Sequence, residues 1–174
     1  MTPTMRNLTF FAAAALFAAC GTSPAGEAPT EHPAATNLAV DLAGHGIPLT
    51  IEIGDAAILG TDSATVRWNE EFGHLTVQAG DRFSILITEE DGDIARLKAD
   101  MERDQLRTNS IVEEQPDRIM WRSAFPDEDI VFLHFYRIVQ TDGRAFVVQD
   151  DDQGRYNEAD ATRMMNSVRS KQPV

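Results

Sequence analysis

One cysteine in 174 residues, Cys20, constrains this chain more than any other feature. A lone thiol has no disulfide partner and no second sulfur for a zinc cluster, so whatever folds downstream is held by a hydrophobic core. Its position adds a second constraint. Arg6 precedes an apolar run from Leu8 through Phe10, Phe11, the alanines 12 to 15, Leu16 and Phe17, which ends in Ala18, Ala19 and Cys20. That is the charged, apolar and small-residue order of a secretory signal. About a dozen apolar residues are too few for a helix to cross a hydrocarbon core of about 30 Å, so residues 1–19 are expected to be cleaved off.

At the cleavage point, Leu16, Phe17, Ala18, Ala19 and Cys20 resemble the lipobox of bacterial lipoproteins. The resemblance implies that the Cys20 thiol is diacylglycerylated and becomes the new N-terminus. Phe17 departs from the branched aliphatic residue usual three places before the cysteine, which implies slower processing. Two or more acyl chains make a stable anchor where one is marginal. Gly21, rather than aspartate, after the cysteine implies delivery to the outer membrane in cells with two membranes. The competing reading is an ordinary secretory signal cut nearby, with Cys20 incidental.

Residues 20–37, with Pro24, Pro29 and Pro33 and no apolar periodicity, read as the attachment site and a disordered tether. Residues 38–170 have the size and patterning of one domain with one core, and 171–174 form a tail. The chain carries 28 acidic and 15 basic residues, a net charge of −13. Loss of Arg6 with the signal leaves −14. Such a surface disfavours nucleic acid, whose binding depends on neutralising phosphates, and points to basic, cationic or small partners. A merely solubilising acidic surface is the plainer alternative.

Leu49, Ile51 and Ile53 alternate with Thr50 and Glu52, the period of a half-buried strand. Further strands are expected at 65–69, at 74–78 after a turn at Gly73, and through Phe83, Ile85 and Ile87. A helix capped by Asp91 or Asp93 follows, with Ile94, Leu97 and Met101 on one face. Ile119 and Trp121 alternate with Arg118 and Arg122, and residues 130–139 are apolar on both faces, as in a strand inside a sheet. Asp142 and Gly143 then mark a hairpin turn. A last helix after Asn157 is expected to bury Ala161, Met164 or Met165, and Val168. This order predicts an α+β fold, a mostly antiparallel sheet with two helices packed on it. It resembles the PsbP/Mog1-like α/β sandwich, which implies an accessory or assembly role without catalysis.

Candidate chemistry is sparse. His32, His45, His74 and His134 include no pair at metal-motif spacing, so no metal or cofactor is expected. His134 shares a strand face with Phe132, Tyr136 and Ile138. It reads first as a hydrogen-bonded core histidine and second as a proton carrier, since no nucleophile or paired acid stands near it in sequence. Asp150, Asp151 and Asp152 before Gly154, and the run Glu89, Glu90, Asp91, Gly92, Asp93, have oxygen ligands for calcium but not EF-hand spacing, which favours solvated turns. Trp68 and Trp121 lie in alternating strands, where core packing is the commoner role and a ligand groove the other. No nucleophile-elbow serine or phosphate loop is present. Three functions follow: a lipid-anchored envelope accessory protein that binds a protein partner without catalysis, a small-molecule or apolar-ligand binder on the sheet face, and an unrecognised hydrolase.

Overall fold

The computed structural model describes residues 36–126 and 128–171. Cys20, His32, the signal segment and the tether up to residue 35 lie outside the described residues, and Asn37, placed in the tether by the sequence, instead begins the first strand. Ten strands and three helices follow in the order β1 (Asn37–Asp41), β2 (Leu49–Asp55), α1 (Ala56–Leu59), β3 (Thr65–Asn69), β4 (His74–Gln78), β5 (Ser84–Glu89), α2 (Ile94–Arg103), β6 (Thr108–Gln115), β7 (Arg118–Ala124), β8 (Val131–Thr141), β9 (Arg144–Asp150), α3 (Glu158–Asn166) and β10 (Val168–Ser170). The fold is α+β. Its strands form two antiparallel sheets, one of order β1-β2-β10 and one of order β3-β4-β5-β9-β8-β7-β6.

Period-2 alternation builds the main core. Leu49, Ile51 and Ile53 of β2 are fully buried and face one side of the large sheet, where Leu75, Val77, Ile85, Ile87, Phe135, Phe146 and Val148 meet them. Helix α3 closes this layer with Ala161, Met164 and Met165, each fully buried. At about 1.5 to 3 kcal/mol for each large apolar side chain, this layer is the main source of stability in a chain without disulfides. β8 is flanked by β9 and β7, so it is the inner strand its two-sided apolar sequence suggests.

Local signals end these elements where expected. Asp93 caps α2, its Oδ1 accepting the Arg96 amide at 2.9 Å, and Asn157 caps α3 through the Asp160 amide at 2.9 Å. Asp142 and Gly143 have φ of 52° and 72°, the pair of positive values that a two-residue type I′ hairpin needs. The departures are non-local. Val168 is buried, but in β10 rather than on the last helix, because it pairs with Ile51 of β2. β6 had no alternating signal: it is an edge strand with a bulge between Ile111 and Glu113, and most of its side chains are exposed.

Helices α2 and α3 sit on opposite faces of the large sheet and are held differently. α3 belongs to the core. α2 covers the face that carries His134, Tyr136 and Ile138, and none of its residues is fully buried. It is tied down near its ends: the Asp93 amide donates to Tyr136 Oη at 3.2 Å, and Asn109 Nδ2 donates to the Met101 carbonyl at 3.2 Å.

Candidate functional site: a groove beneath helix α2

The loose seating of α2 leaves a groove of about 800 Å³ between the helix and the sheet. Leu97 and Met101, the apolar face expected of this helix, line the groove instead of filling it. Leu86 and Trp121 add apolar surface from the sheet, and Thr76, Asn109, Gln149 and Gln153 bring polar groups to the same space. A volume of this size, with an apolar lining and a few convergent polar groups, is the usual form of a ligand site.

His134 stands at the wall, and the absence of a paired acid near it does not survive folding. Asp150 lies across from it, Oδ2 at 2.8 Å from His134 Nδ1. The other oxygen of Asp150 accepts the Phe135 amide at 2.7 Å, so the carboxylate takes the place of a backbone carbonyl where β9 ends beside β8. Asp150 and His134 are 5% and 8% exposed. Opposite the Asp150 carboxylate Nδ1 carries the proton, and in the neutral form of the imidazole Nε2 then presents a lone pair. Nε2 makes no hydrogen bond among the described residues, and the ring lines the groove.

Aromatic rings extend this wall. Trp121 packs on His134 with centroids 5.2 Å apart, Phe132 stacks with the same ring at 6.3 Å, and Phe125 meets Phe132 edge-on at 6.3 Å. At one end of the groove, Phe72 stacks on His74 at 6.0 Å and is 67% exposed. Trp121 is half-buried in the groove. Trp68 is not a core residue: on edge strand β3 it is 57% exposed, because alternation on an edge strand does not guarantee a layer above it.

Most of the acids singled out for calcium are spent on protein donors. Asp151 Oδ2 accepts the Ser84 hydroxyl at 3.1 Å and its Oδ1 the Gln153 amide at 3.1 Å, while Asp152 Oδ1 accepts Gln153 Nε2 at 3.0 Å. Glu89 forms a two-point pair with Arg144, at 2.7 and 2.5 Å, which holds its carboxyl below the usual range, and Asp93 is the α2 cap. Among the described residues no group of three or more His, Cys, Asp or Glu is arranged to hold a metal ion. His45 lies in a 3-10 turn and His74 begins β4, apart from each other in the fold as in sequence.

Asp104 closes the far end of the groove. It accepts the Leu106 amide at 2.9 Å, the Arg107 amide at 3.1 Å and Arg107 Nε at 2.6 Å, and these hold its carboxyl below the usual range. Sequence reasoning missed the groove because its parts come from eight separate elements, α2 and all seven strands of the large sheet. The one signal it carried was the amphipathic α2, whose apolar face had no declared partner. No helix among the described residues is long and apolar enough to cross a membrane. No family model matches this chain, and no curated protein and no solved structure matches it either.

Proposed function

We propose that the protein is a lipid-anchored accessory module of the cell envelope, delivered to the outer membrane as Gly21 after Cys20 implies, that works by binding a protein partner through the groove under α2. The observation that carries this reading is the state of α2: an amphipathic helix whose Leu97 and Met101 line an open groove rather than a closed core. Leaving a large apolar side chain half in water forgoes about 1 kcal/mol, which a partner filling the groove recovers. The Cys20 anchor and the tether would keep the domain close to a membrane while leaving it free to turn.

A photo-cross-linking residue at position 97, in the groove, and one at position 162, on the exposed side of α3, test the reading in intact envelopes. An adduct with one envelope protein from position 97 alone is the expected result. Equal adducts from both positions, or none from 97, would remove the groove as the binding site.

The His134–Asp150 pair favours a second reading, hydrolysis with Nε2 as general base toward a bound water. The aspartate orients the ring as such chemistry requires. No serine or threonine hydroxyl is bonded to Nε2 among the described residues, so a water would have to be the nucleophile. Turnover of a panel of ester and phosphoester substrates that His134→Gln abolishes, with the fold retained, would put this reading first.

A further inference from the structure

We propose that the groove receives a cationic side chain, the ammonium of a lysine or the guanidinium of an arginine, presented by the protein partner. This rests on the binding role assigned to the groove above and names the chemistry of what enters it. Three observations converge. First, His134 is 8% exposed, its Nδ1 is committed to Asp150, and its Nε2 lone pair meets no protein donor among the described residues. Nε2 is not among the buried atoms left without a partner, so it is open to the groove, where the N–H of an entering side chain can reach it. Second, the same wall carries Asp151 and Asp152, whose bonds are to a hydroxyl and amides, leaving both charges uncompensated by any cation among the described residues.

Third, the path to these acceptors is lined by Trp121, Leu97 and Met101. Long basic side chains lay their methylenes along such surfaces and keep the charged head at a polar end, and an indole face attracts the cation itself. The opposing charges are smaller. Arg107 is tied to Asp104, and Arg67, on exposed edge strand β3, is the remaining cation at the lining. An anionic ligand would have to enter against the carboxylates of Asp151 and Asp152. A neutral apolar ligand would leave the charges of Asp151 and Asp152 without a counter-cation and Nε2 without a protein donor. The protein's net charge of −13 draws a basic partner segment from a distance in the same sense.

The test uses the full mature chain carrying Trp68→Phe, so that Trp121 is its one tryptophan, titrated with three capped peptides. They are acetyl-Leu-Lys-Leu-amide and its counterparts with norleucine or glutamate in place of lysine. The lysine peptide is expected to change Trp121 emission saturably and to bind about tenfold or more tightly than the norleucine peptide, the scale of one charge-assisted hydrogen bond. Its affinity should fall as salt is raised, and Asp152→Asn, an exposed position that does not threaten folding, should weaken it several-fold. Equal binding of the norleucine peptide, or tighter binding of the glutamate peptide, would overturn the cationic assignment and leave the groove as a binding site. If no peptide binds while the partner cross-links at position 162 instead of 97, the binding role of the groove fails as well.

Discussion

His134 and Asp150, sixteen residues apart, meet across neighbouring strands with Nδ1 and Oδ2 2.8 Å apart, while the second oxygen of Asp150 holds the Phe135 amide at 2.7 Å. One side chain therefore finishes a strand ladder and sets the proton of a histidine that lines the groove. Structure and recognition share a residue here, and substitutions can separate them.

Asp150→Asn keeps an acceptor for the Phe135 amide but can turn an amide donor toward Nδ1. The His134 proton is then expected to move to Nε2, converting the groove's acceptor into a donor. Long-range nitrogen-15 NMR of the imidazole reports this directly; an unchanged tautomer would mean that the carboxylate does not set it. Asp150→Ala strands both donors and should cost about 2 to 3 kcal/mol in urea unfolding.

Asp160 offers the pH test. It is 3% exposed, and burial works against its ionisation, but hydrogen bonds from Arg163 and Arg82 outweigh that and hold its carboxyl below the usual range. A folded pKa below the unfolded value of about 3.9 gives stability that is present above that pH and is lost as pH falls through the folded value. Asp160→Asn should therefore be less stable by about 2 kcal/mol at neutral pH, with the difference shrinking in acid. Equal stability of both proteins at pH 7 would show that the arginines do not stabilise the folded state through this group.

Gly92 sits where α2 approaches the sheet. A Cβ there would come within 2.5 Å of Ile138 Cγ1 and 2.9 Å of Tyr136 Oη. Gly92→Ala should cost about 1 to 3 kcal/mol and displace the start of α2, which widens the groove. Hydrogen exchange of the α2 amides should quicken well before that of α3; exchange that rises equally in both helices would contradict separate anchoring.

The α3 cap is a local counterpart. Asn157→Ala removes the acceptor of the Asp160 amide and should lower stability by about 1 kcal/mol in thermal or urea unfolding, whereas Asn157→Asp or Asn157→Ser should be close to neutral.

Cys20→Ala tests the anchor. The native chain is expected in the detergent phase of a Triton X-114 partition after cleavage and acylation, and the variant in the aqueous phase. Detergent partition by both would sink the lipid reading.

What the amino-acid sequence determined by itself is the set of features settled within a few residues. Asp93 and Asn157 cap helices because their carboxylate or amide oxygen reaches an amide three residues on. Asp142 and Gly143 turn a hairpin because both tolerate positive φ, and Leu49, Ile51 and Ile53 face inward because a strand repeats every two residues. Tertiary structure decided the rest. Only strand register brings Asp150 to His134, only a pairing with Ile51 makes a strand of Val168, and only the edge position of β3 exposes Trp68. Sequence periodicity reports which side chains share a face, but which face receives a neighbouring layer is fixed by contacts between segments far apart in the chain, and the groove under α2 is the place where that layer stays open.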